Sequence, residues 1–423
     1  MNTRQLKIGL LGCGNVGRGL VELVNRNSSV IRQRMGVEIG ITKILVRDLK
    51  KERPGVERSL LTIEPGKVLD NGCNLVIEVI GGIEPAREFI QHSLSRGKHV
   101  VTANKALLAL DGFHLMQAAE THKVCLGFEA SVCGGIPIIR ALRSGLVGNN
   151  IQQLSGILNG TCNYILTRMS EDRLNFDAAL RQAQTQGFAE ADPSLDIDGL
   201  DAAQKLKILS EIAFHAQVST GSIPVEGIRD ITLDDIEAAS DMGYVIKHVA
   251  TAELVRGSVA LRAAPVMLPK THQLASVHDE NNAVLVRGDA VGEMLFSGKG
   301  AGSLPTASAV LSDVIDIACH KNRFSVNSEG RVSASVSDDQ PSKYYIRFAV
   351  REPSAIGRIT TVFTRNGIEV SRAAAVWARS NSTKHQVRVL TLPSTRKAID
   401  TTLRAVAQLG LETGRNLTLK VAG

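Results

Sequence analysis

A glycine pattern set between an apolar run and a helical run constrains this chain more than any other feature. Gly12-Cys13-Gly14-Asn15-Val16-Gly17 reads G-x-G-x-x-G. Residues 6–11 before it are short and apolar, as a buried parallel strand requires. Residues 15–35 after it carry Val16, Leu20, Leu23, Val24, Val30 and Ile31 near helical spacing. Strand, glycine turn and helix in that order open a dinucleotide-binding unit. Gly12 permits the tight turn, Gly14 lets the backbone approach a pyrophosphate, and Gly17 lets helix pack on strand. Asn15 and Val16 begin the helix, whose N–H groups and dipole favour phosphate. A purely structural glycine turn is the competing reading, and the flanking strand and helix weigh against it.

Further strands are expected at 38–46, 75–80, 99–102 and 124–128, with a helix at 85–95. Strands separated by helices imply parallel β-α-β units and right-handed crossovers. The second strand is followed by Arg47-Asp48-Leu49-Lys50-Lys51. An acidic residue there binds the ribose hydroxyls of NAD, and an arginine suits the 2′-phosphate of NADP. Arg47 tilts the reading to NADP, with NAD the alternative. Lys50, Lys51 and Arg53 read equally well as a solvent-facing basic turn. Gly81-Gly82 fall at a carboxyl end of the sheet, where they either line a ribose or form an ordinary loop.

A length of 423 residues implies two or three domains. Residues 130–320 change texture, with helices expected at 202–216 and 233–250 and a strand at 283–286. This is an α+β region. A helix at 303–320 is expected to pack back on the nucleotide domain. Residues 325–342 are rich in Ser, Asp, Asn and Gly and read as a linker. Beyond them the pattern is strand 344–350, helix 355–366, strands 368–377 and 386–392, helix 396–409 and strand 416–421. That β-α-β-β-α-β order is ferredoxin-like.

The net charge of +7 comes from dispersed basic residues, and aromatic residues are 4% of the chain. No basic-aromatic platform for nucleic acid emerges. No apolar run reaches membrane-spanning length. The start is short and polar, without the apolar core of a secretory signal. Cys13, Cys73, Cys125, Cys133, Cys162 and Cys319 are scattered, as suits reduced thiols in a cytoplasmic protein.

Two stretches carry candidate chemistry. His99-Val100-Val101-Thr102-Ala103-Asn104-Lys105 puts a lysine at the carboxyl end of a strand, where ligands lie in such folds. Residues 187–205 hold Glu190, Asp192, Asp196, Asp198 and Asp201, and a helix follows that Asp198 or Gly199 can cap. Asp201 and Lys205 share one helical face. An exposed pair there is worth a few tenths of a kcal/mol. The apolar Leu206, Ile208 and Leu209 make the helix buried instead, which makes Lys205 a candidate proton donor.

In order and spacing, six stretches resemble homoserine dehydrogenase: residues 12–17, 102–105, 129–137, 159–164, 187–205 and 300–306. The resemblance covers essentially the whole chain. It implies reversible reduction of L-aspartate 4-semialdehyde to L-homoserine with NADP or NAD, in threonine, methionine and isoleucine biosynthesis. By resemblance Lys205 exchanges a proton with the substrate oxygen and Lys105 assists near substrate and nicotinamide. Glu190 and Asp201 hold the substrate amino group, and Gly187 and Gly302 contact substrate or cofactor through backbone. A sodium site by resemblance uses Glu129 with carbonyls of Val132, Gly134 and Ile136. Read without the family, that loop is only a glycine-rich turn before a proline.

The implied layout is a Rossmann-like NAD(P) domain at 1–130 with 303–322 packed on it, a catalytic and dimerisation domain at 131–302, and an ACT regulatory domain at 343–423. Feedback inhibition by L-threonine and assembly as a homodimer or homotetramer are further expectations. A dimerisation module without a ligand is the alternative for the last domain. For the whole chain, the alternatives are another amino-acid dehydrogenase and a nucleotide-sensing regulator without activity. The absence of a kinase-like leading region argues against a fused aspartate kinase.

Overall fold

The computed structural model describes residues 4–219, 221–320, 332–335, 340–377 and 385–422. They form two compact units. One comprises Met1–Gln152, Gln204–Thr220 and Val286–Ser333, and the other Gln153–Ala203, Gly221–Leu285 and Ala334–Gly423. Each is therefore assembled from separated stretches of chain.

The first unit is built on a six-stranded sheet. Its strands are β1 (Arg4–Leu11), β2 (Val37–Leu45), β3 (Leu61–Thr62), β4 (Leu75–Glu78), β5 (His99–Thr102) and β6 (Leu126–Gly127). They run parallel in the order β3-β2-β1-β4-β5-β6. The order reverses between β1 and β4, the switch point at whose carboxyl ends such folds bind ligands. Ile8, Leu10 and Leu11 of β1 are fully buried. Helix α1 (Asn15–Met35) covers one face with Leu20, Leu23, Val24 and Ile31.

The helix Ser303–His320 joins the same core through Ala307, Val310, Leu311, Val314 and Ile317. Each of the Val, Leu and Ile side chains among them contributes about 1.5–3 kcal/mol when fully buried. Arg4 Nη1 donates to the carbonyl of Ala318 at 2.8 Å, tying the end of that helix to the start of β1.

The second unit is dominated by antiparallel pairing. Strands Tyr244–Val255 and Ser258–Pro269 match residue for residue along their length, and Ile151–Ile157 pairs antiparallel with the former. The expected helix at 233–250 is corrected here. The helix is Leu233–Asp241, and the strand begins at Tyr244. Gly243, at φ +85°, ends the helix in the left-handed region. Val245, Ile246, Val249 and Thr251 then favour the pleated strand.

The C-terminal stretch runs Lys343–Val350, Ala355–Arg365, Val370–Trp377, His385–Thr391, Arg396–Ala407, Leu417–Val421, which is the anticipated β-α-β-β-α-β order. Its strands pair antiparallel, last beside first, first beside third, third beside second. Leu417–Val421 also pairs parallel with Ser258–Pro269, so the two sheets are continuous. The sheet's other face meets the helix Leu233–Asp241. There Arg347 Nε donates to Asp235 at 2.9 Å and Tyr345 Oη at 3.0 Å, all buried. Within the expected linker, Val332–Ser335 form a strand, while 325–331 and 336–339 lie outside the described residues. Among the described residues no helix is long and apolar enough to cross a membrane, and all six cysteines are free thiols.

Candidate active site

The glycine turn has the stereochemistry its sequence demands. Gly12 sits at φ +102°, and a Cβ there would meet the Val79 carbonyl at 2.9 Å. A Cβ on Gly17 would come within 2.4 Å of the Gly12 carbonyl oxygen, so only hydrogen lets α1 approach the turn. A Cβ on Gly14 meets nothing within 4 Å. Packing thus fixes two of the glycines, and the third borders open space at a helix N-terminus, as a pyrophosphate needs. These residues fit a dinucleotide.

Gly302 precedes the helix Ser303–His320, and Ser303 Oγ donates to the carbonyl of Asn15 at 2.6 Å. Gly302 is thereby held beside the turn. Arg47 is exposed just past β2, and Asp48 Oδ1 accepts from the Lys50 amide at 2.7 Å. Burial pushes the Cys13 thiol up, and the charges of Arg53 and Arg18 oppose it. Arg18 follows the motif directly, and Arg53, from the loop beyond β2, lies close to the turn as well, which spacing along the chain did not reveal.

Lys105 opens the helix Lys105–Thr121, half-buried at the carboxyl end of β5. Its placement depends on a network that sequence reasoning missed. Glu78, fully buried at the end of β4, accepts from the amides of Ile80 and Gly81 at 2.8 and 3.0 Å and from Thr102 Oγ1 at 2.6 Å. Asn104 caps the helix by accepting from the Leu107 amide, and its Nδ2 donates to the Gly82 carbonyl at 2.6 Å. The Gly81-Gly82 loop and Lys105 are thus fixed together. A carboxylate inside an apolar strand was the available signal.

The helix expected at 202–216 runs Leu200–Ala213. Gly199, at φ +85°, starts it, and its carbonyl accepts the first bond, from the Ala203 amide. Asp198 does not cap, because its carboxylate pairs with Arg229. Asp201 and Lys205 stand one turn apart on this helix, and both are buried. Asn159 Nδ2 donates to Asp196 Oδ1 at 2.7 Å and to Asp201 Oδ2 at 2.8 Å. One amide thus uses both protons to hold two carboxylates. Its own Oδ1 caps the helix Gly160–Glu171 by accepting from the Cys162 amide. The cap was legible from Asn-Gly-Thr, whereas the partners far along the chain were not. Gly187 is exposed at φ +77°, and Glu190 is exposed on the same loop.

The loop assigned to sodium already engages part of that donor set. Glu129 is buried, and its two carboxylate oxygens accept from the amides of Ile139 and Arg140 at 2.8 and 2.7 Å. That carboxylate caps a helical turn, and each oxygen keeps a lone pair beyond the one its amide takes. The Ile136 carbonyl accepts from the Ile138 amide at 2.8 Å. Gly134 packs its Cα side against the Gly300 carbonyl. No group of three or more His, Cys, Asp or Glu among the described residues could hold a metal. Burial raises Glu129 to about 7, and its neighbour Asp313 likewise to about 7.

Comparison with known proteins agrees with this geometry. The homoserine dehydrogenase NAD-binding-domain model matches residues 12–129, and the homoserine dehydrogenase model matches residues 137–315. The chain is 38% identical over 379 residues to the homoserine dehydrogenase of Bacillus subtilis, covering 87% of each chain. The chain belongs to the homoserine dehydrogenase family. It is accordingly an NAD(P)-dependent oxidoreductase. The crystal structure of a homoserine dehydrogenase from Thiobacillus denitrificans superposes with a TM-score of 0.92 at 36% identity, covering 99% of this chain and 98% of that one. A hyperthermophilic archaeal homoserine dehydrogenase mutant in complex with NADPH superposes at 0.65 and 28% identity, covering 76% and 100%.

Proposed function

We propose that the chain reduces L-aspartate 4-semialdehyde to L-homoserine, reversibly, with Lys205 as the proton donor. The supporting observation is the buried pair of Asp201 and Lys205, one turn apart on the helix Leu200–Ala213. Bound NADPH supplies the hydride. Addition to the aldehyde carbon builds negative charge on its oxygen. The Lys205 ammonium stabilises that charge and hands the oxygen a proton, and in reverse the neutral amine removes it. Asp201, oriented by Asn159, orients Lys205 and with Glu190 holds the substrate ammonium. Gly187 offers its backbone to the substrate. Lys105, positioned through Asn104, polarises the substrate. Arg47 favours NADP over NAD, and Gly12, Gly14, Asn15, Val16, Gly17 and Gly302 hold the phosphates. A sodium ion would rest on Glu129 and the backbone carbonyls of Val132, Gly134 and Ile136, and no step uses it.

Following nicotinamide absorbance with homoserine and each cofactor tests this reading. Turnover with a lower KM for NADP is expected. Absence of turnover with either cofactor overturns it.

We further propose the layout 1–130, 131–302 and 343–423, with the last an ACT domain, in a cytoplasmic homodimer or homotetramer. The β-α-β-β-α-β order at 343–421 supports an ACT domain that answers to L-threonine. Calorimetry with threonine is expected to show binding and inhibition together. Neither at millimolar threonine removes the regulatory role.

A further inference from the structure

We infer that Glu226 is a positioning residue for the reaction, holding a strap at residues 225–230 that ties the start of the Asp201 helix to the C-terminal β-α-β-β-α-β region. On one side the strap grips the turn that feeds this helix. The Ile228 amide donates to the Ile197 carbonyl at 2.8 Å. Arg229 Nη2 donates to Ser194 Oγ at 3.0 Å and to Asp198 Oδ2 at 3.1 Å. A Cβ on Gly227 would fall 2.4 Å from the Ile197 carbonyl oxygen, so the two backbones touch.

His248 completes the grip. It is buried, and burial lowers its pKa to about 4, so the ring is neutral. Its Nε2 donates to the Glu226 carbonyl at 3.0 Å. A Cβ on Gly199 would lie 2.9 Å from the same nitrogen. The residue that starts the helix is thus wedged against the imidazole that Glu226 holds.

On the other side the Glu226 amide donates to the Ala263 carbonyl of the strand Ser258–Pro269 at 2.9 Å, and the strap reaches the C-terminal region through side chains. Glu226 Oε1 forms an ion pair with Arg396 Nη1 at 3.2 Å and accepts from Arg262 Nη2 at 3.1 Å. Arg396 begins the helix Arg396–Ala407. Arg347 Nη2 donates to the Asp230 carbonyl at 2.8 Å. The Arg396 and Glu226 side chains are 30% and 37% exposed. A pair that exposed adds little to stability, and Arg262 still neutralises Glu226 when Arg396 is gone. Loss of the pair should therefore leave the chain folded, so its effect on the turn can be read in an intact protein.

The inference rests on Asp201 holding the substrate, as proposed above. Steady-state kinetics of the full chain with homoserine and NADP, for wild type, Arg396→Ala, Glu226→Gln, the double variant and Arg396→Lys, test it. Arg396→Ala and Glu226→Gln are each expected to raise KM for homoserine roughly three- to tenfold, as coupling through packed networks does. KM for NADP should stay within about twofold, since the loss is confined to substrate binding. The double variant should be no worse than the weaker single, and Arg396→Lys should recover most of the loss. Amide hydrogen exchange at residues 196–201 should quicken in Arg396→Ala with little change in Tm. Unchanged KM and exchange in active variants overturn the strap. A joint rise of both KM values with a fallen Tm also overturns it, because that is general destabilisation. A wild type without homoserine turnover would instead sink the reading of the site, while the exchange measurement still judges the strap.

Discussion

The glycine turn at 12–17 and the acidic stretch at 187–205 are both short segments rich in turn residues, yet they are held in opposite ways. The turn is fixed by neighbours in sequence and in the adjacent strands: Gly12 donates to the Leu45 carbonyl, the Arg18 amide to Gly14, and Gly17 packs on Gly12. The acidic stretch is fixed from a distance. Thr161 Oγ1 reaches the Phe188 carbonyl at 2.6 Å, Asn159 reaches Asp196 and Asp201, and Ile228, Arg229 and His248 close on the turn at 197–199. A phosphate cradle needs backbone N–H groups, which local conformation supplies. A buried lysine beside a carboxylate needs its surroundings, which only the folded chain supplies.

The comparison is tested hardest at Lys205. Lys205→Ala should lower kcat by roughly 10²–10⁴, the usual worth of a proton-transfer group, with NADP affinity retained by calorimetry. A variant that keeps near wild-type turnover removes Lys205 from the chemistry.

The glycine turn offers a sharper contrast within itself. Gly17→Ala forces a Cβ against the Gly12 carbonyl and should cost about 1–3 kcal/mol of stability as well as cofactor affinity. Gly14→Ala meets open space and should leave Tm nearly unchanged while cofactor affinity falls. Equal Tm losses in the two would mean that packing alone explains the motif. At the other region, Asn159→Ala leaves Asp196 and Asp201 without their shared donor. It should raise KM for homoserine roughly tenfold, the scale of a lost hydrogen bond to a charged group, while leaving NADP affinity alone.

What the sequence discloses follows the same division. The parallel strands, α1 and the C-terminal β-α-β-β-α-β order were legible, because each rests on periodicity and glycine placement within a few residues. The break at Gly243 was missed because residues 233–250 contain apolar residues that satisfy helical spacing, and only pairing with Ser258–Pro269 decides for strand. Asp201 and Lys205 were legible as residues, but Asn159, Glu78 and His248 were not legible as their supports or as supports of Lys105. Those contacts join positions that no local pattern relates. The Glu129 carboxylate shows the converse case. A family resemblance suggested a cation there, and no local pattern disclosed that each of its oxygens also accepts from a backbone amide of the following turn.

That turn yields the smallest predicted effect. Burial raises both Glu129 and Asp313 to about 7, from unfolded values near 4.5 and 3.8. For an acid raised on folding, the folded state binds more protons between the two values. Stability is therefore full at the acidic end of that window, falls as pH climbs from about 4 to about 7, and is level above. Asp313→Asn removes one ionisation, and its amide oxygen can still accept from the Glu129 amide, which Asp313 Oδ2 does at 2.8 Å. The charges of Arg140 and Arg143 offset part of the cost in the native chain. Denaturant melts across this window should show the variant gaining on wild type by on the order of 1 kcal/mol as pH rises, with the gap constant above about 7. A gap independent of pH would place Asp313 among the charged groups that solvent screens, and would leave Glu129 alone to titrate in this core.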